Sequence, residues 1–288
     1  MKKNILFLIS LFPFFVMCQN SNEKEETPSV VPSDTIPMQY SLLYNDLRLP
    51  ILEGIVNDSL HLKVLFDTGA AANRFSILDS FKNFFDSDSA FVQIGKFKKQ
   101  VRISYLRSDQ KNFTDLNALG KNSILLDWTF FENQIIEFDL QNQRILVYNE
   151  LPNVANYSKI KMELSPGSKL IIPAQVVIHG KTIESNFIID TGFNGFLMLS
   201  TKHIEKQEID TIGASYGKLT ASVGLLPVCG VPADTIKIGD LYMADQDMFI
   251  SFRNLEDVSG LLGTQTLQNF SVILDLINFD LYLKKIEK

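Results

Sequence analysis

The tripeptide Asp-Thr-Gly occurs twice in the chain, as Asp67-Thr68-Gly69 and as Asp190-Thr191-Gly192. Each copy closes an apolar run, Val64-Leu65-Phe66 in the first case and Phe187-Ile188-Ile189 in the second. A buried strand that ends in this way sets a carboxylate at the mouth of a sheet. The glycine lets the backbone turn sharply and allows a second strand to come close, and the threonine hydroxyl can fix the turn by a hydrogen bond. One such tripeptide arises by chance in roughly one chain in twenty of this length, so the weight lies on the second copy. Two aspartates on symmetry-related strand ends would meet across a two-fold axis. Carboxylates a few ångströms apart cannot both ionise, so the pair holds one proton between the pH extremes. The ionised group can then take a proton from a water as it attacks an amide carbonyl, while the protonated group donates to the carbonyl oxygen. This chemistry needs neither a metal nor a covalent nucleophile.

The surroundings of the tripeptide repeat too. At an offset of 123 residues (190 minus 67), Pro50 falls on Pro173, Ile55 on Ile178 and Leu65 on Ile188 without a gap. Downstream, Ser123-Ile124-Leu125-Leu126-Asp127 lies over Ser259-Gly260-Leu261-Leu262-Gly263, and Asp139-Leu140 over Asp275-Leu276. An internal duplication constrains a fold more than any single motif.

The elements that must position the aspartates read as strands. Leu49 to Val56 and Leu60 to Phe66 flank the turn signal Asn57-Asp58-Ser59, and their counterparts Leu170 to Ile178 and Thr182 to Ile189 flank His179-Gly180-Lys181. Each half ends in a strand, a short helical stretch (Trp128 to Asn133, Thr264 to Asn269) and a final hairpin (Ile135 to Tyr148, Val272 to Leu283). Helix is scarce, so the class is mainly β. The second half carries 21 extra residues (39 from Leu199 to Ile238, against 18 from Ser76 to Ile94), with Gly213, Gly217, Gly224 and Gly230 among them. That glycine spacing suits a hairpin or lid, and equally a plain surface loop.

On these residues the chain resembles the aspartic peptidases of the pepsin and retropepsin superfamily. Phe66-Asp67-Thr68-Gly69-Ala70 matches that superfamily's catalytic strand end. Ile189-Asp190-Thr191-Gly192-Phe193-Asn194-Gly195-Phe196-Leu197 is similar to the version in bacterial retropepsin-like proteins, and Leu261-Leu262-Gly263 matches the element that follows in each lobe. The resemblance spans roughly residues 45–285. It implies two duplicated retropepsin-like β-barrel lobes in a pepsin-like bilobal arrangement. It also implies a catalytic pair Asp67 and Asp190 with Thr68 and Thr191 hydrogen-bonded across the pair, support from Thr68, Gly69, Thr191 and Gly192, and an aspartic endopeptidase that needs no cofactor. Three features depart from the pattern. Asp127 stands where the first lobe should carry a glycine, and its charge is expected to disturb the strand behind Asp67. Phe193 stands where pepsin-like enzymes carry a small hydroxyl residue. The first lobe lacks a glycine-rich flap. The alternative reading keeps the fold without the chemistry, as a non-catalytic peptide- or partner-binding envelope lipoprotein.

The 288 residues are 45% hydrophobic and 21% charged, an ordinary globular balance. Lys2-Lys3 followed by the apolar run Ile5 to Val16 reads as a signal peptide, too short for a comfortable membrane span. The run ends at Met17-Cys18. This resembles a bacterial lipoprotein signal, with Cys18 as the lipidated residue and the cell envelope as the address, although Met17 stands where a small residue is usual; the alternatives are an ordinary secretory signal cut nearby or an uncleaved anchor. The expected organisation is a signal over 1–17, a flexible tether over 18–40, an N-terminal lobe over 41–152 and a C-terminal lobe over 153–288. Without residues 1–17 the net charge would be 25 minus 33, or −8. That charge, with no basic run beyond Lys96-Phe97-Lys98-Lys99, excludes nucleic acid as a partner. The expected partners are a peptide or protein substrate and a membrane reached through the lipid, with the protein itself a monomer. His61, His179 and His203 show no metal-ligand spacing, and Asp86-Ser87-Asp88 lacks the further ligands of a calcium loop. Neither a phosphate-binding glycine loop nor a nucleophile elbow is present.

Overall fold

The structure is a computed structural model that describes residues 30–43, 47–70, 74–78, 88–106, 123–201, 215–221, 224–252 and 259–286. Cys18 and the signal segment lie outside the described residues, as do Asp86, Ser87, His203 and Gly213. The first lobe carries β1 (Asp34–Leu43), β2 (Leu47–Val56), β3 (Leu60–Phe66), β4 (Arg74–Leu78), β5 (Ser89–Ile94), β6 (Phe97–Leu106), β7 (Ser123–Leu126), a 3-10 turn (Trp128–Phe131), β8 (Ile135–Asp139) and β9 (Arg144–Tyr148). The second carries β10 (Ser158–Lys161), β11 (Glu163–Leu164), β12 (Leu170–Ile178), β13 (Lys181–Ile189), β14 (Leu197–Ser200), β15 (Ser215–Ala221), β16 (Gly224–Ile238), β17 (Leu241–Ser251), β18 (Gly260–Leu262), α1 (Thr264–Leu267), β19 (Phe270–Asp275) and β20 (Asp280–Lys285).

The class is mainly β, and each lobe closes a six-stranded ring. In the first the order is β2-β3-β7-β4-β6-β5 with β5 back on β2, and in the second it is β12-β13-β18-β14-β17-β16 with β16 back on β12. Closure removes the exposed edges that would otherwise recruit other strands. The central strands read as apolar runs because they are covered on both faces. Val64, Leu65 and Phe66 at the end of β3, and Phe187, Ile188 and Ile189 at the end of β13, are all buried. Phe66 lies edge-on to Phe131 with ring centroids 5.3 Å apart and stacks on Phe138 at 5.9 Å. Each large apolar side chain buried to this degree contributes about 1.5–3 kcal/mol.

The pairing corrects one part of the repeat. Ile51 sits opposite Leu65, and Ile171 opposite Ile188. The counterpart of Ile51 therefore lies 120 residues on (171 minus 51), and Pro50 and Pro173 do not occupy equivalent places. The cause is hairpin length. β3 has 7 residues and follows Asn57-Asp58-Ser59, whereas β13 has 9 and follows His179-Gly180. His179 and Gly180 take φ of 48° and 75°, the left-handed pair of a two-residue hairpin turn.

The lobes join through a sheet ordered β10-β20-β19-β8-β9-β1. At its centre β8 meets β19 with Ile136 opposite Leu274, Glu137 opposite Ile273 and Phe138 opposite Val272. The offset linking Asp139 to Asp275 is 136 (275 minus 139), and adding it to Ile136 and Phe138 gives Val272 and Leu274. The pairing thus maps onto itself, as a contact across a two-fold axis must, and the axis passes beside Glu137 and Ile273. Trp128 adds a further link between lobes. Its Nε1 donates to the Ser168 carbonyl at 3.0 Å, and its ring lies edge-on to Phe279 at 5.9 Å.

The tether expected over 18–40 is overturned at its end, because residues 34–40 belong to β1. Asp34 to Pro37 pair with β9, and Met38 to Leu43 pair with β2. Pro37 stands at the handover between the two ladders, where a missing N–H is tolerated. The second lobe divides the same task between β10, which pairs with β20, and β11, which pairs with β12. Ile36 and Met38 have their match in Ile160 and Met162, all four buried. Backbone bonds repeat as well, from Met38 N to the Gln143 carbonyl and from Met162 N to the Phe279 carbonyl. The duplication therefore begins near Asp34. The 21 additional residues of the second half supply β15, which forms an antiparallel hairpin with the start of β16, Ser215 opposite Gly230 through Ala221 opposite Gly224. A fragment starting at Tyr40 should fail to fold stably in denaturant unfolding, while one starting at Val30 should fold. In the full chain, Ile36→Ala should cost about 2–5 kcal/mol. A Tyr40 fragment as stable as the Val30 fragment would contradict the assignment of β1 to the folded body.

Candidate functional site

Each Asp-Thr-Gly is delivered by a strand lying parallel to its lobe's Leu-Leu element. β3 runs beside β7, with Phe66 opposite Leu126, and β13 runs beside β18, with Ile189 opposite Leu262. The ladders extend into the motif, because Asp67 N donates to the Leu126 carbonyl and Asp190 N to the Leu262 carbonyl, each at 2.9 Å. The two tripeptides then meet across the two-fold axis. Thr68 N donates to Thr191 Oγ1 at 3.0 Å, and Thr191 N donates to Thr68 Oγ1 at 3.1 Å. In return, the Thr68 hydroxyl donates to the Ile189 carbonyl and the Thr191 hydroxyl to the Phe66 carbonyl, both at 2.6 Å. The threonines are 0% and 1% exposed, so these four bonds are shielded from water. The hydroxyls therefore clamp the opposite lobe instead of fixing their own turns.

The glycines have a corresponding role across the axis. A Cβ on Gly69 would stand 2.7 Å from Asp190 Oδ1, and a Cβ on Gly192 would stand 2.7 Å from Asp67 Oδ1. What each glycine admits is the partner's carboxylate, not a neighbouring strand. Each glycine amide also binds its own aspartate, Gly69 N to Asp67 Oδ1 and Gly192 N to Asp190 Oδ1, both at 2.9 Å.

The two carboxyl groups are hydrogen-bonded to each other. Burial pushes Asp67 well above the usual carboxylate range, and the charge of Asp190 and the hydrogen bond to it push the same way; the Gly69 amide and the Lys169 ammonium oppose them. Burial raises Asp190 as well, but the hydrogen bond from Asp67 draws it back, followed by Lys169 and the amides of Gly192 and Phe193. Both carboxyls are thus pushed up, and the pair retains a proton at pH values where isolated carboxyls are ionised. The residues keep part of their surface open to solvent, so a small molecule can reach them. An acid and a base in mutual contact, with amides directed at both, can activate a water and protonate a carbonyl oxygen.

The expected disturbance at Asp127 is not found. β7 keeps its parallel ladder from Lys63 opposite Ser123 to Phe66 opposite Leu126. Asp127 is 1% exposed and caps the 3-10 turn, its Oδ1 accepting from Thr129 N at 2.7 Å and from Thr129 Oγ1 at 2.5 Å. Its φ of −84° matches the −95° of Gly263, so neither position demands glycine for its backbone. Gly263 is required for space, since a Cβ there would overlap the carbonyls of Gly195 and Phe193. Phe193 is accommodated too. Its ring lies against Gly195 and 6.4 Å from Phe249, while its amide hydrogen-bonds Asp190. Lys169 was not singled out in the sequence, because its place opposite the motif depends on hairpin register. The basic run beside β6 is occupied locally, with Lys98 on Asp58 and Lys99 on the Thr129 carbonyl and Glu132. Among the described residues no group of three His, Cys, Asp or Glu side chains is placed to hold a metal.

The sequence matches no known protein family and no curated protein. The structure is similar to the crystal structure of aspartic proteinase from Irpex lacteus, with a TM-score of 0.54 and 11% sequence identity over 88% of this chain and 97% of that one. The likeness is one of fold: a bilobal, pepsin-like arrangement.

A carboxyl raised by folding stays protonated in the folded chain after the unfolded chain has released its proton. Its contribution to stability therefore declines as pH rises from the ordinary carboxylate range through the folded-state range, and levels off above it. Asp67→Asn removes one of the two charges, so the variant should show a shallower decline and be more stable than the parent at neutral pH, by about 2–4 °C in Tm for each kcal/mol relieved. Thermal unfolding of both proteins across a pH series measures the difference, and a variant that loses stability relative to the parent as pH rises would contradict it.

Proposed function

We propose that the chain is an aspartic endopeptidase that hydrolyses peptide bonds with a water activated between Asp67 and Asp190. The observation that carries this reading is the pair itself: two carboxyls in hydrogen-bond contact, one held well above its ordinary range, locked in register by the reciprocal Thr68 and Thr191 bonds. In the first step the ionised carboxylate takes a proton from the water, whose oxygen bonds to the carbonyl carbon of the substrate. The protonated carboxyl gives its proton to the carbonyl oxygen, and a neutral gem-diol forms. In the second step a diol hydroxyl returns a proton to the pair and the amide nitrogen accepts one. The carbon–nitrogen bond then breaks, leaving a carboxylic acid and an amine. Preorganised amides at both aspartates spare the site reorganisation as charge shifts. Both carboxyls come from one chain, so a monomer suffices, with a peptide or protein as substrate and no cofactor.

Because the two groups act as a unit, Asp67→Asn and Asp190→Asn should each abolish most cleavage of a mixed peptide library, and the double variant should be little worse than either. The full chain is assayed from acid to neutral pH. Cleavage that survives in both single variants would refute the pair's role. Binding of peptides without cleavage at any pH would point to the non-catalytic reading.

The order Lys2-Lys3, apolar run and Cys18 further supports anchorage in a bacterial envelope through a lipid on Cys18. Mass spectrometry of the membrane fraction should detect an acylated Cys18 at the mature N-terminus, and Cys18→Ser should block that processing. A mature N-terminus elsewhere without lipid would overturn it.

A further inference from the structure

The four bonds between Thr68 and Thr191 treat the two carboxyls alike, and so do the glycine amides. A symmetric pair has no built-in reason to place its charge on one side, so the asymmetry has to come from a neighbour. Strand register identifies the position. The β2–β3 ladder reaches Ile51 opposite Leu65, and the β12–β13 ladder reaches Ile171 opposite Ile188. Continued two residues beyond the last paired positions, the same registers bring Leu49 level with Asp67 and Lys169 level with Asp190. Directly opposed residues on antiparallel strands project to the same face, with Cβ atoms about 4.5–5.5 Å apart. Leu49 is 4% exposed and packs with Ile51, Leu65 and Leu125. At the equivalent place in the second lobe stands an ammonium.

The backbone of Lys169 is held from both sides. Its N–H donates to Ser165 Oγ at 3.1 Å, and its carbonyl accepts from Ser165 N at 2.9 Å. The preceding Ser168 carbonyl is the one bound by Trp128 of the first lobe. Among the described residues the ion pairs engage Lys96, Lys98, Lys99, Arg144, Lys159 and Lys161 with other acids. The charge of Lys169 is felt instead by both members of the pair. Among the described residues, the titratable groups acting on each carboxyl are thus its partner and Lys169, beside the Gly69, Gly192 and Phe193 amides.

We propose that Lys169 is a positioning residue that places the single negative charge of the pair on Asp190. Asp190 is then the group that takes the proton from water and Asp67 the group that gives one. This assignment of roles rests on the hydrolytic reading; the placement of charge does not. A cation stabilises the ionised form of either carboxyl, so removing it shifts both titration steps to higher pH.

The test is a titration of the full chain labelled with carbon-13 at the aspartate carboxyls, followed by NMR. The Asp67→Asn and Asp190→Asn variants assign the two signals. In the parent protein the Asp190 carbon should titrate at lower pH than the Asp67 carbon, a measurement that needs no change at Lys169. In Lys169→Met both steps should move to higher pH, and in Lys169→Arg they should stay near the parent values. Asp67 titrating first in the parent, or unchanged steps in Lys169→Met, would overturn the proposal. Because the readout is ionisation and not turnover, absence of hydrolysis would leave the charge placement intact. Unchanged titration would remove the charge placement and leave hydrolysis intact.

Discussion

Everything at the centre of this molecule depends on four hydrogen bonds between two threonines. Each hydroxyl accepts an amide proton and donates to a carbonyl of the opposite lobe, so neither tripeptide can adopt its conformation without the other. Buried bonds of this kind carry little net stability each, but leaving a partner unsatisfied is costly. The arrangement therefore behaves as a register pin. A shift of either lobe would orphan several buried polar groups at once, and the two carboxyls would lose their contact.

The joining sheet explains why the lobes arrive at that register. β8 and β19 pair about the same two-fold axis, and β1 and β10 flank them with equivalent Ile–Met pairs. The short turns between Leu-Leu element and joining sheet link the two levels. In the first lobe Asp127 caps that turn, and Trp128 passes from it to the Ser168 carbonyl of the second lobe. In the second lobe Gly263 admits the Phe193–Gly195 turn. The two halves thus solve one geometric problem with different residues, and Asp127 is a local solution, not a defect.

Symmetry of this kind is well suited to positioning and poorly suited to acid–base chemistry, which needs unlike partners. The grip and the glycine amides are symmetric, while the charges around the carboxyls are not. Leu49 and Lys169 occupy equivalent places and differ by a full charge, and that charge acts on both aspartates. A duplicated fold can keep its scaffold two-fold and still differentiate its site through one cross-strand neighbour.

The sequence by itself determined the β class, the duplication, the pairing of motif to strand end and the identity of the two aspartates. These follow from local pattern: apolar runs that close on Asp-Thr-Gly, turn residues at fixed places, and a second copy. It also contained the Ile36–Met38 and Ile160–Met162 match, which the polar, proline-bearing surroundings of β1 obscured. Tertiary structure alone decided what depends on register and on contact across the axis. The offset between β2 and β12 changes because one hairpin is longer per strand and tighter in its turn. Contact of Thr68 and Thr191 across the pair followed from the resemblance, but which amides and carbonyls they engage was set only by the fold. Asp127 caps where its charge suggested disruption, and Lys169 comes level with Asp190 only once the β12–β13 register is continued to the motif. Pattern along a chain reports which residues are buried and where it turns; which side chains then meet depends on how strands of unequal length align.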